Sequence, residues 1–203
     1  LRITLAQMRT LKLHVGTDGR NRTLLSPFAS KTGRNQPSTT KFIFGNSAWL
    51  RSLIKPQKGF GLAYVDFSSQ EIAIAAALSG DPKMWQAYNS GDPYMAFAIQ
   101  AGLAPEGATK SSHKAIRNRC KQIMLGVGYG MGAEALALAA GIHRVEANEL
   151  LNRHRMTYRI FWKWAEANQM RALMGEPLAT PLGWKLQLRN DPDPNDRSLL
   201  NWP

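Results

Sequence analysis

The chain has 203 residues, 44% of them hydrophobic, which suits one or two modest domains with a real core and excludes a disordered segment. Twenty-six Lys and Arg against fourteen Asp and Glu leave a formal charge of +12, so a polyanion is the natural partner, and ribosomal, membrane-surface and nucleic-acid enzyme classes all remain open. The single cysteine, Cys120, excludes an internal disulfide and a Cys-built zinc cage and suits a reducing compartment. His14, His113, His143 and His154 show no metal-ligand spacing. Apolar runs such as 72–78 fall far short of the roughly 20 residues that span a bilayer, and no signal peptide opens the chain. A soluble, cytoplasmic protein with no membrane or disulfide partner is expected, and, with Leu1 in place of an initiator Met, a fragment is expected too.

In chain order, apolar residues recur at helical spacing over 1–15, and Gly16-Thr17-Asp18-Gly19 then breaks the pattern with turn-forming residues, after which a hairpin or irregular stretch is expected. The Ser-, Thr-, Lys- and Arg-rich segment 23–45, with Pro27, Gly33 and Pro37, reads as extended structure and loops. The compact apolar stretch 60–67 predicts a buried strand carrying Asp66 at its C-terminal end. Ser68 and Ser69 are then suited to cap a helix over 71–78, which stops at Ser79-Gly80-Asp81-Pro82. From Pro82 onward helix follows helix, with breaks at Gly91-Asp92-Pro93, 102–107, Gly141 and Gly175-Glu176-Pro177. The stretch 142–174 holds neither Gly nor Pro and carries Leu151, Tyr158, Trp162 and Ala165 at three- and four-residue steps, predicting one long amphipathic helix with basic outer faces. Beyond it, 178–188 suggests a short strand pair, 190–195 a polar turn and 197–201 the start of another helix.

Three constellations can carry chemistry. In Val65-Asp66-Phe67-Ser68-Ser69-Gln70-Glu71 a carboxylate stands at a strand exit with a second five residues on. Magnesium takes six oxygens, commonly one or two carboxylates plus substrate phosphates, so such a placement suits a metal site; the plain alternative is an Asp that caps the next helix. In 117–130, Arg117, Lys121, Leu125 and Tyr129 recur every four residues, a slowly spiralling helical face roughly 18 Å long. Two cations one turn apart can grip a triphosphate, and an apolar residue one turn further can meet its base or sugar; the plain alternative is a solvated basic stripe. Gly126, Gly128, Gly130 and Gly132 weaken the end of this helix, by about 1 kcal/mol each relative to Ala. Gly128, Gly130 and Ala133 formally fit a dinucleotide-binding pattern, but helix rather than strand precedes them, so that reading is rejected in favour of a weak or kinked helix end beside Tyr129. The third constellation places Arg197 and Asn201 one turn apart, where they can reach minor-groove acceptors or phosphates.

In this order and spacing the three resemble the signature motifs of family A DNA polymerases, from about Gly19 to Pro203. Asp66-Phe67-Ser68, Glu71 and Leu78-Ser79-Gly80-Asp81 resemble the family's motif A. The resemblance implies that Asp66, with the backbone carbonyl of Phe67, binds the catalytic metals, and that Glu71 is a steric gate against ribose. Arg117, Lys121, Gly126, Tyr129 and Gly130 resemble the fingers helix, which implies that Arg117 and Lys121 bind the incoming triphosphate, Lys121 catalytically, while Leu125 and Tyr129 line the nucleotide and Tyr129 and Gly130 the template. Thr32-Gly33-Arg34 resembles a segment in which the Arg touches DNA, and Arg197 and Asn201 resemble residues that contact the primer-template. Leu125 stands where the family has Phe or Tyr, Tyr94 where it has a phosphate-binding His, Phe67 in place of Tyr and Ala73 in place of Arg, marks of a divergent branch.

The resemblance implies an α+β, incomplete right-hand fold: palm pieces at 1–81 and 175–203 and helical fingers at 82–174. It implies Mg2+-dependent transfer of a dNTP to a primer 3′ hydroxyl on a DNA template, with two metal ions, primer-template DNA and dNTP as partners, and a monomeric enzyme. The family's motif C, source of the second metal carboxylate, is expected beyond Pro203. Asp191, Asp193 and Asp196 sit in a Pro-punctuated turn and do not stand in for it, so the fragment alone is expected to be inactive. The rivals are a single-subunit RNA polymerase, against which Glu71 argues, and a catalytically dead nucleic-acid-binding module, for which the basic charge suffices.

Overall fold

The computed structural model describes residues 5–6, 9, 15–26, 35–37, 42 and 54–186; Arg34, Arg197 and Asn201, and the turn and helix expected over 190–201, lie outside the described residues. The chain divides into two compact units, Leu1–Asp66 and Phe67–Pro203.

In the first unit the turn-forming run closes as expected. Val15 bridges Asn21, the Gly16 amide donates to the Arg20 carbonyl at 2.9 Å, and Gly19 takes a φ of 75° that a side chain would resist. The Asp18 carboxylate accepts two hydrogen bonds from the Arg22 guanidinium, at 2.8 and 2.6 Å, and one from the Arg20 amide, which hold its carboxyl below the usual carboxylate range. Strands β1 (Leu25–Ser26) and β2 (Gln36–Pro37) pair antiparallel, with Leu25 opposite Pro37.

The stretch 60–67 departs from expectation. It forms no strand, and its apolar side chains are exposed, Val65 at 85% and Phe67 at 78%. Apolar β-branched and aromatic residues favour a pleated, half-buried surface only when a neighbouring strand takes their N–H and C=O groups. Among the described residues no strand pairs with this one.

The second unit contains seven helices among its described residues. Helix α1 (Gln70–Ser79) ends where Gly80, at φ 69°, returns its amide to the Ala76 carbonyl at 3.0 Å. The expected serine cap at its start is absent: Ser69 is the N-cap residue, but it lies in the left-handed region at φ 49° and its hydroxyl makes no capping bond. Helices α2 (Pro82–Asn89) and α3 (Pro93–Gln100) each start with an Asp cap and a Pro at the first position, the pairing that satisfies an orphan amide and presets φ. Helix α4 (Lys114–Gly128), α5 (Ala133–Ala140), α6 (Arg144–Thr157) and α7 (Arg159–Leu173) follow, and the hairpin of β3 (Leu178–Ala179) with β4 (Lys185–Leu186) forms as expected.

The single helix expected over 142–174 is two helices, because its pattern is interrupted at Tyr158, with φ −110° and ψ 57°. The cause lies 77 residues upstream in Asp81, which is 2% exposed and caps two helices at once. Its Oδ1 accepts from the Lys83 and Met84 amides at the start of α2, and its Oδ2 accepts from the Ile160 and Phe161 amides at the start of α7. A second helix start needs such an acceptor for its orphan amides, and sequence periodicity along 142–174 carries no trace of a partner supplied from so far away.

Neighbouring helices pack in sequence, α1 on α2, α2 on α3, α3 on α4, α4 on α5 and α5 on α6, while α7 returns to α1. Phe97, Ile123, Leu136, Tyr158 and Cys120 form the fully buried centre. Burying a side chain such as Phe97 contributes about 2–3 kcal/mol. His154, 2% exposed, sits among Phe97, Tyr158, Phe161 and Trp162, and its Nδ1 accepts from the Trp162 indole at 3.0 Å. That bond requires a neutral ring, and burial, aided by the charge of Arg155, pushes its pKa down to about 3. Among the described residues no helix is long and apolar enough to cross a membrane.

Candidate functional site

The second constellation is assembled on α4. Its inner face buries Cys120, Ile123, Met124 and Val127, so the four-residue stripe of Arg117, Lys121 and Leu125 lies off that face, with Lys121 exposed and Leu125 half-buried against the core. Arg117 retains 15% of its side-chain surface; its Nε donates to Asp92 Oδ2 at 2.5 Å, and its Cζ lies 5.3 Å from the centroid of the Tyr94 ring. Lys121 Nζ lies 5.8 Å from the same ring. Tyr94 is buried in the first turn of α3, a floor under both cations whose negative ring face favours them.

The end of α4 accounts for Gly130. Gly130, at φ 67°, donates its amide to the Val127 carbonyl at 2.9 Å, and the Met131 amide reaches the Gly126 carbonyl at 2.8 Å, the paired bonds of a Schellman ending. A Cβ on Gly126 would stand 2.9 Å from Met131 Sδ, so the Met131 side chain would have to shift to admit it. The helix thus stops beside Tyr129, as the glycine run implies. There the Tyr129 hydroxyl donates to Glu71 Oε1 at 3.1 Å, joining the end of α4 to the first turn of α1. The structure therefore brings Arg117 and Lys121 together with Tyr94, and Glu71 together with Tyr129, joining residues of the first two constellations.

Sequence reading missed Asp92 as a participant. The sequence marks Gly91-Asp92-Pro93 as a helix break, and an Asp in a helix-cap position gives no indication of an Arg 25 residues away.

Asp66 belongs to the first unit and is exposed. Among the described residues no group of three or more His, Cys, Asp or Glu side chains is placed to hold a metal ion. A carboxylate and a main-chain carbonyl are nonetheless the hard oxygen donors that Mg2+ takes, so Asp66 and Phe67 fit the ion in kind. The turn that follows them passes through the left-handed Ser69, a conformation that costs about 1–2 kcal/mol for a residue with a Cβ.

This fold is that of part of a polymerase domain. The solved polymerase domain of Pol1 from Mycobacterium smegmatis, in complex with DNA primer-template and dNTP, matches with a TM-score of 0.74 over 100% of this chain and 37% of that one, at 24% sequence identity. The family model for DNA polymerase family A matches residues 22–198, and the chain belongs to that family. Its relatives include the DNA polymerase I of Synechocystis, 31% identical over 137 residues, and the DNA polymerase of Mycobacterium phage L5, 29% identical over 149 residues. The matches cover 68% and 70% of this chain but only 14% and 22% of those proteins.

Proposed function

We propose that this chain is the nucleotide-receiving part of an enzyme of template-directed DNA synthesis, in which a dNTP is transferred to a primer 3′ hydroxyl with Mg2+. The observation that carries the reading is the pair of cations one turn apart on α4, Arg117 and Lys121, ranged beside the Tyr94 ring. A guanidinium and an ammonium so spaced match adjacent phosphates of a triphosphate, and charge that grows on the leaving phosphates is met by donors already in position. Glu71, held by the Tyr129 hydroxyl, would exclude a 2′ hydroxyl from the sugar edge, and Leu125 would meet the nucleotide through its aliphatic side chain. Asp66 and the Phe67 carbonyl would hold Mg2+, which when bound stabilises attacking and leaving oxygens. Arg34, Gly130, Arg197 and Asn201 would contact DNA. In this layout 1–81 and 175–203 belong to the palm and 82–174 to the fingers. With Asp66 as the one carboxylate assigned to the metals, the 203-residue chain by itself does not extend a primer.

Photolabelling tests the reading. An azido-substituted dATP should label a peptide within 114–129, and unlabelled dATP should compete while deoxyadenosine should not. Labelling confined to other segments, or equal competition by the nucleoside, would sink it.

A further inference from the structure

We infer that Asp92 is a positioning residue for the nucleotide site, acting through Arg117. The inference rests on the proposed triphosphate reading of α4 and adds to it the group that sets how Arg117 presents its charge.

Asp92 does two things with its two carboxylate oxygens. Oδ1 accepts from the Met95 amide at 3.3 Å and so caps α3, while Oδ2 takes the Nε–H of Arg117 at 2.5 Å. The cap fixes the carboxylate against a helix start, and the carboxylate then fixes the guanidinium. The bond uses Nε, and among the described residues the two terminal amino nitrogens make no hydrogen bond to protein. The edge formed by those two nitrogens offers two parallel bonds to a phosphate. The Tyr94 ring, two residues after Asp92 on the same helix, restricts the plane from a second direction.

The ion pair is also unlike the others in the described residues. Its side chains are 15% and 28% exposed, whereas those of Arg119–Glu146, Arg153–Glu149, Arg171–Glu176, Arg22–Asp18 and Arg20–Asp18 lie between 40% and 66%. Such exposed pairs hold no side chain firmly against solvent. The Asp92–Arg117 pair spans two helices and is half-sequestered, so it can impose one orientation. An arginine that is already oriented loses less freedom when it meets phosphate.

The sign of the effect separates this from general electrostatics. Removing a carboxylate from a chain of charge +12 should tighten the binding of a polyanion if charge alone matters. If Asp92 orients Arg117, removing it should weaken binding. Asp92→Asn is the informative variant, since an Asn caps α3 as well as Asp does. With its oxygen on the Met95 amide, it turns an NH2 donor toward the Arg117 Nε–H. Asp92→Ser, a shorter cap that cannot reach Arg117, repeats the test should the Asn variant melt early.

The experiment is calorimetric titration of the 203-residue chain with inorganic tripolyphosphate at low salt, for wild type, Asp92→Asn, Arg117→Ala and the double variant, with thermal melts to confirm folding. Expected is a loss of about tenfold in affinity for Asp92→Asn and less than about twofold for the same change in the Arg117→Ala background. Unchanged or tighter binding by Asp92→Asn would overturn the inference, as would equal losses in both backgrounds, which would trace the effect to α3 and not to Arg117. Full affinity in Arg117→Ala alone would instead remove the triphosphate reading, and the inference with it.

Discussion

Replacing Asp81 by Ala should produce the largest loss of stability of any single polar substitution in the helical unit. The carboxylate is 2% exposed and accepts four main-chain hydrogen bonds, at 3.0 and 3.1 Å from Lys83 and Met84 and at 3.2 and 3.1 Å from Ile160 and Phe161. Each lost helix cap costs about 1 kcal/mol, and amides left unpaired in a site closed to water add about 1–3 kcal/mol more. The sum, about 3–5 kcal/mol, corresponds to a fall of roughly 10–15 °C in melting temperature for a chain of this size. Asp81→Asn keeps one acceptor oxygen and can cap α2 or α7 but not both, so it should fall between wild type and Ala. Urea unfolding followed by circular dichroism measures the series. A change of under about 0.5 kcal/mol for Asp81→Ala, the level of an ordinary surface substitution, would refute the double-cap account.

Other consequences follow from buried titratable groups and from charge. His154 titrates at about 3 in the folded chain against 6.5 when exposed, so the unfolded chain binds the extra proton and stability should drain away as pH falls from about 6.5 toward 3. In His154→Phe that acid sensitivity should shrink, even though the variant loses its Trp162 bond; an unchanged slope of stability with pH would show that other groups are responsible. Burial pushes the Cys120 thiol up to about 12, so its stabilising contribution is present below the ordinary thiol pKa and is lost as pH rises toward 12. A disulfide reagent at pH 8 should therefore react only as fast as the chain unfolds, and reaction within seconds under native conditions would contradict the buried placement. Binding of primer-template DNA should show little sequence preference and weaken by more than about tenfold between roughly 50 and 200 mM salt, and a salt-independent affinity would exclude the counterion-release account.

The helical unit was largely legible because its signals are local. Asp-Pro pairs at 81–82 and 92–93 announce helix starts, Gly80 and Gly141 announce left-handed ends, and the stripe from Arg117 to Tyr129 fixes which face of α4 is basic. What was not legible depends on distant partners. The break at Tyr158 is set by a carboxylate near the start of the unit, and the Arg117 guanidinium is held by an Asp from another helix. The strand expected over 60–67 is not formed, since an apolar run reports which residues can be buried and not whether, among the described residues, a neighbouring strand takes them. Ser69 illustrates a smaller limit: residue type suggests a hydroxyl cap, but the backbone there is left-handed and the hydroxyl makes no capping bond.

The central claim is that the α4 face receives the triphosphate, and Lys121→Ala tests it most directly, because Lys121 is exposed, lies outside the core and has its Nζ 5.8 Å from the Tyr94 ring. Affinity of the chain for dATP and for primer-template DNA should be measured side by side at fixed salt. A charge-assisted contact to phosphate predicts at least a tenfold loss for dATP, about 1.5 kcal/mol or more, with primer-template affinity changed by less than about threefold. Equal dATP affinity in wild type and variant, or matching losses for both ligands, would make Lys121 one more solvated cation on a basic helix.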